Sequence, residues 1–419
     1  MNALLTIISL LLSTALLLVG QGMQLTLVPL RGADNGLSEA VIGISASCYY
    51  LGFIVGCLIV PKVIARVGHI RGFAVLTALM ACAVLGLDML DHWGALLVLR
   101  FLTGVTMSGL YAVIESWLNS RTTRQNRGQI LAIYTVIVLS AMAAGQMFVN
   151  VGPIESATPF SLAAMFLALA IVPIGLTRKI APTPIESTLP NFRLLYDRSK
   201  SAFAGGLLSG LVTGSFWSLG AVFSSHYSAT LSDVTWFMTM AIAGGAILQY
   251  PIGWLSDRID RRWVLIVLCI GGTVSAGSVA LSTGESWHLL TVFLFGACVM
   301  PIYAISLATA ADVVSGEDFI AMGTSILLLN AVGAVFAPLL FGQLMASFGP
   351  TALFITIALI CALFCVLFLL LSRTPRSVSV DEQKPFHAAA TEVAPSSFEL
   401  DSRAQEDDKP VSSQNGDGD

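Results

Sequence analysis

Charge is what this chain has least of. Asp, Glu, Lys and Arg together supply 11% of its 419 residues, and there are only 5 histidines. Set against 56% apolar residues and a mean hydropathy of +0.83, that scarcity excludes a soluble globule, because no water-exposed fold of this length could hide so much apolar surface. The seven cysteines, at 48, 57, 82, 269, 298, 361 and 365, all fall in apolar runs, where thiols act as small hydrophobes. They form neither a disulfide framework nor a zinc pattern. Cys361 and Cys365 share a helical face, but a metal needs more ligands than that face supplies. Nucleotide-binding fingerprints and catalytic-triad spacings are also missing, so the expectation is no enzyme, no metal, no cofactor and no nucleic-acid partner. Of the histidines, His69 falls in a basic turn, His92, His226 and His288 lie in or beside turns, and His387 is near the end of the chain. None of them is placed as a relay inside a bilayer.

What the chain does have is long apolar runs. Twelve of them are long enough to cross a membrane as helices, at about 4–27, 39–60, 73–90, 95–117, 128–150, 158–176, 202–224, 232–254, 263–282, 288–311, 320–344 and 350–371. The short alternating strands of a barrel are absent from the pattern, so the fold class is an all-α membrane protein. The first run lacks a basic flank and exceeds the usual signal-peptide core, so it reads as a span. The runs fall six and six, predicting a first six-helix bundle over 1–177, a linker over 178–201, a second bundle over 202–372 and a disordered tail over 373–419. Ten of the twenty-five acids lie in 381–419, a composition that reads as solvated disorder.

Basic residues orient the chain. With both termini cytoplasmic, inside loops hold Lys62, Arg66, Arg71, Arg121, Arg124, Arg127, Arg178, Lys179, Arg193, Arg198, Lys200, Arg258, Arg261, Arg262, Arg373 and Arg376, whereas the outside loops hold only Arg31. The positive-inside rule therefore predicts cytoplasmic termini. The loop after the tenth run, with Glu317 and Asp318, is the local exception.

Residues 253–262, Gly-Trp-Leu-Ser-Asp-Arg-Ile-Asp-Arg-Arg, crowd five charges between two apolar runs, and 61–71 carry a degraded copy. One ungapped offset of 192 superposes Gly22 on Gly214, Gly52 on Gly244, Arg66 on Arg258, Gly104 on Gly296, Tyr111 on Tyr303 and Ala112 on Ala304. The chain reads as two parallel six-helix repeats, the architecture in which two bundles rock around a midplane site.

Gly253, Leu255, Asp257, Arg258, Arg261 and Arg262 resemble the loop signature of the major facilitator superfamily, with Asp260 where glycine is usual. In the first half Arg66 and Gly68 match, while Ala65 replaces the acid and Pro61 the leading glycine. Arg100 with Gly104, and Arg127 with Gly128, resemble further elements of that superfamily, and Glu115-Ser116-Trp117-Leu118-Asn119 resembles a bacterial subgroup of mostly unassigned substrate. The resemblance spans residues 1–375 and implies a monomeric, multi-pass inner-membrane secondary transporter working by alternating access. It implies a gating role for Arg66, Gly68, Gly253, Asp257, Arg258, Arg261 and Arg262, with the arginines reaching across to the other bundle. Because Ala65 cannot form the acidic latch, the gate is expected to be asymmetric. The Gly-Pro element resembling the drug-efflux signature is replaced by Ala143-Ala144-Gly145-Gln146.

Ionisable residues within a bilayer are costly and face the interior or water. At 100° per residue, Arg100, Gly104, Ser108, Tyr111 and Glu115 form one stripe down the fourth run. Arg100 could bind an anionic substrate group or pair with Asp88; Glu115 could carry a proton or pair with the loop holding Arg121 and Arg127. Gln21, Gln24, Thr213, Trp217, Tyr303, Gln146 and Asn330 are further pathway candidates, whereas Tyr49, Tyr50 and Trp236 are indistinguishable from interfacial or packing aromatics. The favoured cargo is a small organic anion imported with protons. An efflux pump for amphipathic compounds and a transporter-like sensor signalling through the tail are the alternatives.

Overall fold

The computed structural model describes residues 2–90, 92–121, 127–176, 189–285, 287–314, 316–373, 379–387 and 398. Twelve helices have the length and apolarity to span a membrane: α1 (Ile7–Asp34), α2 (Glu39–Val67), α3 (His69–Met89), α4 (Trp93–Ser120), α5 (Gln129–Val151), α6 (Thr158–Gly175), α7 (Lys200–Ser225), α8 (Leu231–Ser256), α9 (Arg261–Leu281), α10 (His288–Ala311), α11 (Asp318–Phe348) and α12 (Ala352–Ser372). Each predicted run is one of these helices. Several run a turn or two beyond the apolar stretch, because a helix ends where its backbone turns rather than where lipid ends. The continuity of α10 is interrupted at Met300, just before Pro301, where the ring removes a backbone donor.

The repeat is visible in the packing. In the first bundle α1 packs on α5, α2 on α4 and α3 on α6; in the second α7 packs on α11, α8 on α10 and α9 on α12. Glycine sets the closest of these approaches, and it does so in pairs. A Cβ on Gly52 would lie 2.9 Å from the carbonyl carbon of Phe101, and one on Gly244 would lie 2.8 Å from that of Phe293. Likewise Gly22 faces Met142 O at 2.6 Å and Gly214 faces Ala334 Cα at 2.5 Å. Each contact recurs at the same offset of 192, so the two bundles share helix-to-helix geometry in which backbones touch because a side chain is missing.

For brevity, the end of the molecule that carries the 253–262 turn is called the hinge end, and the opposite end the far end. Cross-bundle bonds hold the far ends together: Ser47 Oγ donates to Val335 O at 2.6 Å, Asn150 Nδ2 to Thr235 Oγ1 at 2.8 Å, and His226 Nε2 lies 3.3 Å from Glu39 Oε1. In α7, 89% of the membrane window is buried, against 33% in α12, so α7 stands at the centre and α12 faces lipid.

The hinge end departs from expectation in two places. The charged turns are shorter than the sequence suggests, since α2 continues to Val67 and α9 resumes at Arg261. Gly68 turns the first at φ +86°, a conformation that favours glycine. At the equivalent position Asp260 instead caps α9 by accepting from Arg262 N at 3.0 Å. Nor is the tail disordered throughout. Residues 379–387 form a short turn and an extended strap bonded to the hinge, and the Phe398 side chain is 2% exposed. Backbone and carboxylate hydrogen bonds outweigh what composition alone implies.

Candidate functional site

The stripe on α4 carries a row of buried polar groups along its contact with α2. Arg100 is 6% exposed, and its guanidinium carbon lies 4.6 Å from the centre of the Tyr49 ring on α2. A cation over an aromatic face in a dry setting is favourable by about 2 kcal/mol. Gly104 permits this closeness: a Cβ there would sit 2.8 Å from Phe53 N, one turn beyond Tyr49. Tyr49 is fixed in turn, because its Oη accepts from Gln21 Nε2 of α1 at 3.0 Å, and Gln24 Nε2 reaches Gln21 Oε1 at 3.4 Å. Asp88, the other partner considered for Arg100, pairs with Arg31 at 3.1 Å. Arg100 packs on α2 through Tyr49, and Arg31 with Asp88 closes the far end of the first bundle.

Further toward the hinge end, Glu115 is fully buried and accepts from Tyr134 Oη of α5 at 3.2 Å. The alternative expected for Glu115, a pair with the basic loop that follows α4, falls on residues 122–126 and on the side chains of Arg121 and Arg127, which lie outside the described residues. Tyr111, between Arg100 and Glu115, packs edge-on to Phe53 at 6.5 Å. From the second bundle, Tyr303 on α10, the repeat mate of Tyr111, is fully buried. Its hydroxyl, Asn330 Nδ2 on α11 and Ser209 Oγ on α7 are buried without a hydrogen-bond partner among the described residues. Such atoms are costly unless something bonds to them.

The other predicted pathway residues are placed differently. Ser108 bonds Val105 O at 3.0 Å, and its Oγ abuts Gly56, so it serves the α2–α4 contact. Gln146 donates to Gly22 O at 2.8 Å and accepts from Thr26, clamping α5 to α1. Thr213 bonds back to Ser209 O at 2.7 Å, and Trp217 packs on Phe216 at 5.1 Å. Sequence reasoning passed over Tyr49 and Tyr134. The spacing that places Gly104 against α2 could have pointed to Tyr49, whereas nothing in the α5 sequence singles out Tyr134.

At the hinge, Arg261 is 1% exposed and holds three elements at once. It donates to Ala308 O of α10 at 2.9 Å and to Asp312 at that helix's end, to Asp257 Oδ1 at 2.9 Å, and to Lys384 O in the tail. Arg262 pairs with Asp260 at 3.0 Å and donates to Leu371 O of α12 at 3.3 Å. Arg258 stacks on Trp254 at 3.6 Å. Among the described residues these contacts lie within the second bundle and its tail. The local reason is chain geometry: Asp257 sits one turn before Arg261, and α10 supplies a carboxylate beside it. Gly253 is buried, and Arg66 is exposed.

The first half has its own version of this cluster, unnoticed in the sequence. Shifting Arg261 and Ala308 back by 192 gives His69 and Ser116, and His69 Nε2 lies 3.2 Å from Ser116 Oγ, with its ring 6.4 Å from Trp117. A neutral hydrogen bond stands where the second half has an ion-pair cluster.

The family model for the Major Facilitator Superfamily matches residues 10–194 and 202–403. The uncharacterized MFS-type transporter YcaD of Escherichia coli O17:K52:H18 is 28% identical over 357 residues, covering 84% of this chain and 93% of that protein. Among solved structures, a bacterial homolog of the human lysosomal transporter Spinster, in an inward-facing and unoccupied conformation, aligns with a TM-score of 0.77 at 12% identity, covering 89% of this chain and 97% of that one. The nucleoside transporter NupG aligns at 0.76 and 12% identity, covering 90% and 100%. Likeness at these identities carries the fold alone.

Proposed function

The chain belongs to the Major Facilitator Superfamily, and as a member of that family of transporters it moves, we propose, a small organic anion by alternating access, with protons as the coupling ion. Arg100 carries this reading. A buried guanidinium stacked on Tyr49 is a group able to bind a carboxylate or similar anion. Gln21 and Gln24 orient the ring beneath it, while the hydroxyl of Tyr303 and the amide of Asn330 offer hydrogen bonds from the opposite bundle. A solute that bonds groups on both bundles would draw them together, which is how substrate binding lowers the barrier to rocking.

Glu115 with Tyr134 is the proton site in this scheme. Its carboxylate is buried on the same stripe as Arg100, so a proton on Glu115 and an anion at Arg100 each reduce the cost of the other. The hinge end is the cytoplasmic side, from the Lys and Arg bias of its loops. The far-end bonds between α2 and α11 and between α5 and α8 then close the outer gate.

A thermal-shift screen of organic acids on purified protein at two pH values tests the reading. The expected result is a stabilising acid whose shift is larger at the lower pH and disappears in Arg100→Ala. A stabilising neutral or cationic compound, unaffected by Arg100→Ala, would refute it.

A further inference from the structure

The tail segment 379–387, with Phe398 beyond it, occupies a built site on the hinge end of the second bundle. Its backbone completes the bonding of both hinge carboxylates: Lys384 N donates to Asp312 Oδ1 at 3.0 Å, and Phe386 N donates to Asp257 Oδ2 at 3.2 Å. Lys384 O accepts from Arg261, the residue that joins those two carboxylates, and Lys384 Nζ donates to Val314 O at 3.1 Å. The Phe386 ring lies over Gly253, so close that a Cβ there would fall 2.7 Å from its Cγ. Phe398 packs on Gly323 of α11, where a Cβ would meet its ring at 2.7 Å. It belongs to the same apolar cluster as Leu195 of the linker, Leu307 and Tyr303 of α10, and Met322 and Ile326 of α11.

From this placement we propose that the tail is an intramolecular ligand that closes the mouth at the hinge end, locking the turn through 379–387 and seating Phe398 against Gly323 in the apolar cluster that includes Tyr303. Two glycines provide the sockets for two phenylalanines, and two carboxylates provide acceptors for two backbone amides. The inference rests on the reading of the hinge end as a gate. A turn whose Asp257, Arg261 and Asp312 are bonded to a strap cannot rearrange until the strap leaves, so release of the tail precedes opening.

The test needs no transported solute. In full-length protein with its seven cysteines replaced by alanine, the pair Gly323→Cys and Phe398→Cys should crosslink on mild oxidation in membranes, as seen by protease mapping. In the same background a single Leu307→Cys reports the mouth. Its labelling by N-ethylmaleimide added to membranes of each orientation should be slow, and at least about tenfold faster when Phe398→Ala or Phe386→Ala is added, because a buried thiol reacts in proportion to the open population. Gel filtration of each variant confirms that it is folded. Failure of the crosslink in folded protein would overturn the docking. A crosslink with labelling rates unchanged in both alanine variants would overturn the plug, and would leave the substrate reading untouched because neither readout involves a solute.

Discussion

Replacing Gly244 by alanine should loosen the second bundle measurably, and replacing Gly52 should do the same to the first. The added Cβ at Gly244 would stand 2.8 Å from the carbonyl carbon of Phe293, and that at Gly52 would stand 2.9 Å from the carbonyl carbon of Phe101. Carbon atoms rest about 3.5–4.0 Å apart, so α8 and α10, or α2 and α4, must separate by roughly 0.6 Å or more. The obstacle is backbone on a rigid helix rather than a side chain able to rotate away. Overpacking of this kind costs about 1–3 kcal/mol. Taken over one six-helix bundle, that lowers the melting midpoint by about 2–12 °C. Gly277 in α9 is the control, because a Cβ there meets nothing within 4 Å. Fluorescence-detected gel filtration after heating, on protein extracted in mild detergent, gives the midpoints. Gly244→Ala and Gly52→Ala should fall by similar amounts, while Gly277→Ala should stay within the error of the unsubstituted protein. Equal midpoints for all three would refute the argument that glycine–carbonyl contacts fix the repeat. A fall in only one of the two would refute the equivalence of the bundles.

Other perturbations separate the site from the scaffold. Arg100→Lys keeps the charge but loses the planar fork and its stacking on Tyr49, so affinity for a bound organic acid should fall about tenfold or more, read by calorimetry against Arg100→Ala. Glu115→Gln should abolish the pH dependence of accumulation in proteoliposomes, and Tyr134→Phe, which removes its hydrogen bond, should shift that dependence without abolishing it; full retention in Glu115→Gln would remove it from coupling. Asp257→Asn weakens the bonds to Arg261 and to Phe386 N and should raise the hinge-open population about tenfold, seen as a longer distance between spin labels on the hinge ends of the two bundles. Ending the chain after Arg376 should preserve solute flux, whereas a sensor acting through its tail would lose its output.

The scaffold was legible because its signals are local or repetitive. A run of twenty apolar residues needs no partner to declare itself, and a glycine recurring at a fixed offset marks a close backbone approach whichever helix lies opposite. Arg100 and Glu115 stood out for a similar reason, since a charge within lipid is rare enough to need an explanation. Tyr49 and Tyr134 did not, because a tyrosine in a span has several ordinary uses and only its neighbours distinguish them. The tail was harder still. Its acidic, polar composition argues for disorder, and the groups that bind residues 379–387 are Asp257 and Asp312, which lie far apart in sequence and meet only when α8 and α10 fold together. His69 could have been found by carrying the offset of 192 four residues past the acidic position, to the residue that matches Arg261.

One position where the two halves differ divides the labour between shape and charge. Where the second half turns on Asp260 and gathers ions around Arg261, the first turns on Gly68 and rests His69 against a serine hydroxyl. The first arrangement depends on backbone conformation and one side-chain hydrogen bond. The second is a set of full charges that a change in ionic strength or a competing anion can address. Because glycine contacts hold both bundles together alike, the first keeps its packing without the acidic cluster that the second gathers around Arg261. What distinguishes the two turns is therefore the set of groups available to bind another segment, and the end of the chain binds the turn that has them.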